Sequence, residues 1–160
     1  MKRGACWVLS NLMACGPLPI AEFVSSRLHL IIKEMLHEAS IDIVREAAWV
    51  ISNSFSKGSN KQIRIMLEDG LLSAFMELLS ISDTNVRCLV LDTVNKLLSE
   101  LKDASLRGLI IRTLQESQAI QKIEEFQTSS NKVTSEIAAK IICKLSTESE
   151  DMLCASDPSE

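Results

Sequence analysis

The sequence repeats one short pattern at a long, fixed interval. The segments ACWVLSNLM and AAWVISNSF each place a tryptophan four residues before an asparagine, and they hold the only two tryptophans of the chain. Trp7 and Trp49 lie 42 residues apart, as do Asn11 and Asn53. A compact bundle around one core does not predict such a repeat. The pattern therefore indicates an array of similar structural units.

The whole chain shows the hydrophobic period of a helix, and no segment shows the alternation of a strand convincingly. Ser40 is a suitable N-cap for one of the predicted helices, and Gly58 suits the position after its end. A short, a medium and a long helix recur together, with a period of 42 and then about 43 residues. The predicted helices cover 1–14, 18–25, 27–38, 41–56, 60–68, 70–80, 84–101, 104–116, 118–127 and 130–146.

A period of roughly 40–47 residues with two or three helices in each unit is typical of armadillo and HEAT arrays. One such unit cannot bury its apolar faces alone, so neighbouring units stack into a solenoid with a concave face. We expect an all-α, right-handed armadillo-repeat solenoid of about three and a third repeats. It would contain a third helix at 1–14, repeats at 17–56, 59–101 and 104–146, and an acidic, disordered tail at 147–160.

Charge and motif content exclude several function classes. A net charge of −4 is unfavourable for nonspecific nucleic-acid binding. The longest apolar segments contain charges or are too short to span a bilayer, and Ser10 and Asn11 interrupt what would be the apolar region of a signal peptide. His29 and His37 lie roughly 12 Å apart along a helix, too far to share a metal. The sequence carries no catalytic motif. We expect no enzyme activity, metal, cofactor, nucleic-acid partner or membrane partner.

Both tryptophans lie on the polar stripe of their helices. At roughly 100° per residue, a polar set falls within about 60° of Trp49, while the apolar residues of that helix fall on the far side. The polar set around Trp49 comprises Arg45, Glu46, Ser52, Asn53 and Ser56. The corresponding set around Trp7 comprises Arg3, Ser10 and Asn11. A core tryptophan would lie on the apolar stripe, so the pattern favours an exposed binding surface. Packing between repeats is the alternative.

Such a surface suits a basic peptide. Two indoles one repeat apart form a slot for a long side chain with an apolar stem and a charged head, as in Lys and Arg, and the indole face attracts the cation. Asn11 and Asn53 each carry a donor and an acceptor for the main chain of an extended peptide, and Glu46 can pair with the charged head. The predicted ligand is an extended peptide rich in Lys and Arg.

Two segments resemble the armadillo repeats of importin alpha (karyopherin alpha), the adaptor that carries nuclear localisation signals. They are KRGACWVLSNLMA and REAAWVISNSFSKGSNKQIRIMLEDGLLSAFMELLSISD. The third helices of that family carry the motif K/R-E-A-x-W-x-x-S-N. Its matches here are Arg3, Ala5, Trp7, Ser10 and Asn11, and then Arg45, Glu46, Ala47, Trp49, Ser52 and Asn53. The segment QESQAIQKIEEFQTSSNKV resembles the family's final repeat, and the resemblance covers residues 2–146.

The resemblance implies the C-terminal part of the family's array, which contains the minor binding site for localisation signals. The peptide-binding residues that it implies are Trp7, Ser10, Asn11, Glu46, Trp49 and Asn53, with Arg3, Arg45 and Asp92 as further candidates. It also implies a protein that shuttles between cytoplasm and nucleus.

The chain departs from the family pattern at several positions. Gly4 replaces an acid before Trp7, Gln118 stands where the family tends to have glycine, and Asp92 and Lys96 occupy the positions of a third Trp and Asn. The basic segment that binds importin beta in the family is missing, so we do not expect importin beta as a partner. The alternative function is a helical-repeat scaffold, or a truncated importin alpha without cargo binding. It would contact an export receptor or a nucleoporin through its C-terminal repeats.

Overall fold

The structure, a computed structural model, describes the backbone of residues 1–155 and the side chains of residues 1–151. Ten α-helices and no strand occur in the part of the chain that it describes. No helix in that part is long and apolar enough to cross a membrane. The helices are α1 Lys2–Ala14, α2 Pro17–Ser25, α3 Leu28–Met35, α4 Ile41–Lys57, α5 Asn60–Glu68, α6 Leu71–Glu77, α7 Thr84–Glu100, α8 Ala104–Glu116, α9 Ala119–Phe126 and α10 Lys132–Ala155. A single 3₁₀ turn, Leu78–Ser80, follows α6.

Every helix predicted from the sequence is present, and the differences lie at the ends. Ser40 precedes α4 as its N-cap residue, but its side chain makes no capping hydrogen bond. Helix α10 continues to Ala155, whereas the sequence analysis ended it at residue 146. The predicted acidic tail therefore begins as helix, because residues 147–155 contain good helix formers and neither glycine nor proline. Residues 156–160 of that tail lie outside the described residues.

The long helices stack on one another in chain order. Helix α4 packs against α1 on one side and α7 on the other, and α10 packs against α7. Helix α4 buries residues around most of its circumference, including Val44, Ala47, Val50, Ile51 and Phe55. A helix enclosed on so many sides leaves only a narrow strip for solvent, and Trp49 lies on that strip.

A chain of charged side chains ties the N-terminal ends of three long helices together. Arg3 Nη1 of α1 lies 3.9 Å from Asp42 Oδ2 of α4. Arg45 Nη1 donates to Asp42 Oδ1 at 3.2 Å, and Arg45 Nε donates to Asp83 Oδ2 at 3.0 Å. The other oxygen of Asp83 accepts the Val86 N–H at 3.0 Å and so caps α7. Arg45 thus links α4 directly to the first turn of α7.

The junctions α2–α3, α5–α6 and α8–α9, between the first and second helices of each repeat, share one backbone conformation. Arg27, Gly70 and Gln118 all have a left-handed backbone, with φ of 59°, 77° and 58°. Each donates its N–H to the carbonyl three residues before it, at 3.0–3.3 Å, which closes the preceding helix. Glycine adopts this conformation without strain, whereas residues with a Cβ do not. Only the middle junction has the residue that its geometry favours.

We predict that Gln118→Gly stabilises the protein by about 1 kcal/mol, because relief of left-handed strain outweighs the added freedom of the unfolded chain. Gly70→Ala should destabilise it, since the alanine would have to adopt φ 77° and its Cβ would lie 3.2 Å from Lys33 Nζ. Urea unfolding of both variants measures these changes. Equal destabilisation by both substitutions would contradict the shared-junction interpretation.

The ion pair of Asp83 makes the stability of the fold depend on pH. The hydrogen bond from Arg45, followed by that from the Val86 N–H, lowers the pKa of Asp83. A carboxyl group with a lowered folded pKa stabilises the fold above its unfolded pKa of about 4, and this contribution is lost as pH falls through the folded pKa. Asp83→Asn should therefore lower the free energy of unfolding at pH 7, and its difference from the parent should shrink below about pH 4.

Urea titrations at a series of pH values measure that difference. Asp103→Asn is the matched control, because Asp103 caps α8 in the same manner, accepting the Leu106 N–H at 3.1 Å. Comparing Asp83→Asn with Asp103→Asn separates the effect of the ion pair with Arg45 from that of the helix cap. A difference between parent and Asp83→Asn that is constant with pH would contradict the prediction.

Candidate functional site

Two exposed tryptophans lie on adjacent long helices. Trp7 on α1 is 59% exposed and Trp49 on α4 is 50% exposed. Three of the four phenylalanines, by contrast, are at most 2% exposed; they are Phe23, Phe55 and Phe75. The core therefore takes up aromatic side chains elsewhere and leaves both indoles at the surface. We call the surface that carries Trp7, Asn11, Trp49 and Asn53 the Trp–Asn face.

The two asparagines make different hydrogen bonds. Asn11 is exposed, and its Nδ2 donates to the carbonyl of Trp7 at 2.9 Å, within its own helix. Asn53 is half-buried, and its Nδ2 donates across to the carbonyl of Ser10 at 2.9 Å. An amide nitrogen has two hydrogens and the amide oxygen accepts further bonds. Each asparagine is thus oriented by one bond and retains capacity for others.

The two serines of the repeated motif lie beneath the Trp–Asn face rather than on it. Ser10 is 7% exposed, and its hydroxyl donates to the carbonyl of Trp7 at 2.8 Å. Ser52 is 9% exposed, and its hydroxyl lies 2.8 Å from that of Thr93 on α7. The helical wheel assigned both to the polar stripe, but the neighbouring long helix covers them. Their hydroxyls hold helices in place, and the carbonyl of Ser10 fixes Asn53.

The acidic and basic candidates of the motif have distinct surroundings. Glu46 is half-buried, and its charge, after burial itself, raises the pKa of the Cys6 thiol on α1. Arg3 and Arg45 belong to the chain of charges at the helix N-termini, and the hydrogen bond to Asp83 raises the pKa of Arg45. Arg45 is thus a neutralised structural cation.

A trough lies over α7, beside Trp49. Its floor is formed by Val86, Cys88 and Leu89 of α7. Trp49 and Arg45 of α4 border it on one side, and Val133 and Ile137 of α10 border it on the other. Asn85 and Asp92 complete the lining. We call this space the α7 trough.

Asp92 occupies the α7 trough where a third tryptophan would continue the pattern. Its Oδ2 pairs with Lys96 Nζ at 2.8 Å. The helical wheel did not indicate Leu89, Val133 or Ile137 as functional residues. The apolar spacing of Val133 and Ile137, four residues apart at the start of a long helix, was the available signal, but it is equally typical of a core stripe.

Metal binding finds no support in the described side chains. No group of three or more His, Cys, Asp or Glu side chains is placed to hold a metal ion within residues 1–151. The site therefore consists of indoles, amides and a few carboxylates, which suit the side chains and main chain of a peptide.

Comparison with known proteins identifies relatives of one kind. The chain is 31% identical over 157 residues to importin subunit alpha-4 of Arabidopsis thaliana, a match that covers 94% of this chain and 29% of that protein. It is 27% identical over 145 residues to importin subunit alpha-5 of the same plant, covering 89% and 28%. The chain thus spans less than a third of the length of these relatives. No family model matches it.

Solved structures with the same fold are armadillo-repeat proteins. A designed armadillo repeat protein in complex with the peptide (KR)4 superimposes with a TM-score of 0.77 at 22% identity, covering 89% of this chain and 57% of that one. Computationally designed armadillo repeat proteins for modular peptide recognition give a TM-score of 0.76 at 19% identity, covering 98% and 69%. At these identities the likeness concerns the fold. The chain has an armadillo-repeat fold, and over most of its length its sequence is similar to those of importin alpha subunits.

Proposed function

We propose that the chain is the peptide-binding part of a nuclear import adaptor, which holds an extended, Lys/Arg-rich nuclear localisation signal on the Trp–Asn face. The observation that carries this proposal is the exposure of Trp7 and Trp49, 59% and 50%, on adjacent long helices. Large exposed apolar surfaces on soluble proteins mark interaction sites. The same chain buries three of its four phenylalanines, so exposure is a particular property of the two indoles and not of its aromatic side chains in general.

The chemistry of the face suits basic side chains. The methylene stem of a Lys or Arg residue packs on an indole, and its charged head is attracted by the ring face. Glu46 is half-buried on α4, three residues before Trp49 and on the same side of the helix, where it adds a negative charge. The net charge of −4 favours approach of a cationic peptide over a distance set by the ionic strength.

The asparagines fit the main chain of the peptide. The bond from Asn53 Nδ2 to the Ser10 carbonyl holds that amide in one orientation before the ligand arrives, which reduces the ordering cost of binding. Its oxygen and second hydrogen then bind a peptide N–H and C=O. Asn11 does the same on α1 with its amide oxygen and its second hydrogen, while its first hydrogen stays bonded to the Trp7 carbonyl. Ser10 contributes through its backbone, beneath the face.

The comparisons support this assignment at two levels. Sequence relatives are importin alpha subunits, and a protein with the same fold is in complex with an alternating Lys-Arg peptide. Carrying such signals would place the protein in both cytoplasm and nucleus.

The test is a titration of the full chain with a short peptide of alternating Lys and Arg, followed by tryptophan fluorescence. Both tryptophans of the chain lie in the proposed site, so we expect a saturable change that weakens as salt rises. Trp49→Ala should weaken binding at least about tenfold, since it removes a stacking and cation–π partner. Asn53→Ala should weaken it less.

Leu18→Ala is the matched control, because Leu18 is 83% exposed on α2, away from the Trp–Asn face. It should leave the affinity unchanged. A saturable response that survives Trp49→Ala would contradict the proposed site. The absence of any response in the parent chain would favour a scaffold without cargo binding.

A further inference from the structure

We infer that the α7 trough selects an aliphatic residue in the bound peptide, at a position beside the basic residue held by Trp49. The inference rests on the proposed peptide-binding function and adds a specificity element to it. The ligand would then be a composite signal, basic where it crosses α1 and α4 and apolar where it crosses α7.

The trough adjoins the Trp–Asn face at Trp49. Trp49 belongs to both, because it carries the basic-residue slot on one side and borders the α7 trough on the other. An extended peptide that runs across the stacked long helices therefore enters the trough after leaving Trp49. No separate binding event is needed.

The lining of the trough is mostly apolar. Leu89 forms part of its floor, and Val133 and Ile137 form the side opposite Trp49. Val133 is 57% exposed, and it is the one exposed large apolar side chain between positions 50 and 151 of the described chain. Val133 is thus the most exposed large apolar side chain among residues 50–151, and a ligand in the trough would cover it.

The charges in the trough disfavour a second basic residue there. Asp92 pairs with Lys96 at 2.8 Å, so its charge is already balanced. Arg45 lies on the same lining, and its charge is already paired with Asp42 and Asp83. A Lys or Arg of the peptide would have to compete with Lys96 for Asp92, whereas an uncharged aliphatic side chain meets no such cost.

The substitution of Asp92 for a third tryptophan creates the space. An indole at that position would fill the trough and continue the pattern of basic-residue slots. The shorter carboxylate pairs with Lys96 on its own helix and leaves Val133 exposed and Ile137 half-exposed beside the trough. The departure from the repeated pattern thus changes the preferred side chain from basic to apolar.

Geometry sets the spacing in the peptide. Packed helices lie roughly 8–10 Å apart, and an extended chain advances about 3.4 Å per residue. The aliphatic residue should therefore lie roughly three positions from the basic residue at Trp49. A scan of two to four positions on each side covers both directions of the peptide.

The experiment measures fluorescence anisotropy of labelled peptides with the full chain. Each peptide has one Lys-Arg core in a Gly-Ser background, and Leu, Ser or Lys is placed at each scanned position. We expect Leu at one position to raise the affinity about five- to tenfold over Ser, with Lys no better than Ser. Val133→Asp should remove this gain without lowering the affinity for the Leu-free core peptide, since the added negative charge does not repel a basic ligand.

Leu18→Asp is the matched control, since it places the same charge at an exposed aliphatic position on α2. Val133→Ser provides a second variant without added charge, and it should reduce the gain. Circular dichroism melting establishes that each variant folds.

Three results would overturn the inference while the core peptide still binds through Trp49. They are no gain from Leu at any position, a preference for Lys over Leu, and a gain that persists in Val133→Asp. Failure of the Lys-Arg core itself to bind would instead overturn the proposed function, and this inference with it.

Discussion

Stacking of the long helices is the constraint on which the rest of the structure depends. Each repeat has too little apolar surface facing inward to form a core alone, so α4 is stable only between α1 and α7. Burial of Ala47 and Ala48 to 0% exposure allows this close approach. The same packing fixes the interval between Trp7 and Trp49. The spacing of the proposed binding surface is therefore a consequence of how the core is packed.

Polar contacts between repeats set the register of the stack. Apolar side chains alone permit helices to slide, because dispersion and the hydrophobic effect have little direction. The bond from Asn53 to the Ser10 carbonyl joins α4 to α1, the Ser52–Thr93 bond joins α4 to α7, and Arg45 joins the helix ends through Asp83. The contact that aligns two repeats thus also orients the amide of Asn53, a residue of the proposed binding surface.

The sequence predicted the helices well because their apolar period is strong and their loops are short. It located both tryptophans on the strip that the structure exposes, since the stripe of each long helix is local information. It misplaced Ser10 and Ser52, because a helical wheel treats one helix and cannot show that a neighbour covers part of its polar side. The sequence could not predict the α7 trough for a related reason. Trp49, Leu89 and Val133 lie on three helices, and only their packing brings these residues together.

The tryptophan pattern ends at α7, and this changes the chemistry of the surface there. A third Trp would have extended the same slot, whereas Asp92 on α7 removes indole surface and adds a carboxylate that Lys96 neutralises from the next turn. An acid that is already paired with a lysine attracts a further cation less than a free carboxylate does, and Val133 and Ile137 lie beside it on the same lining. The repeat architecture holds the backbone nearly constant, so in the binding mode proposed above one substitution would change which side chain is preferred at one position of the ligand. Specificity along an extended peptide would then follow from differences between repeats that are otherwise alike.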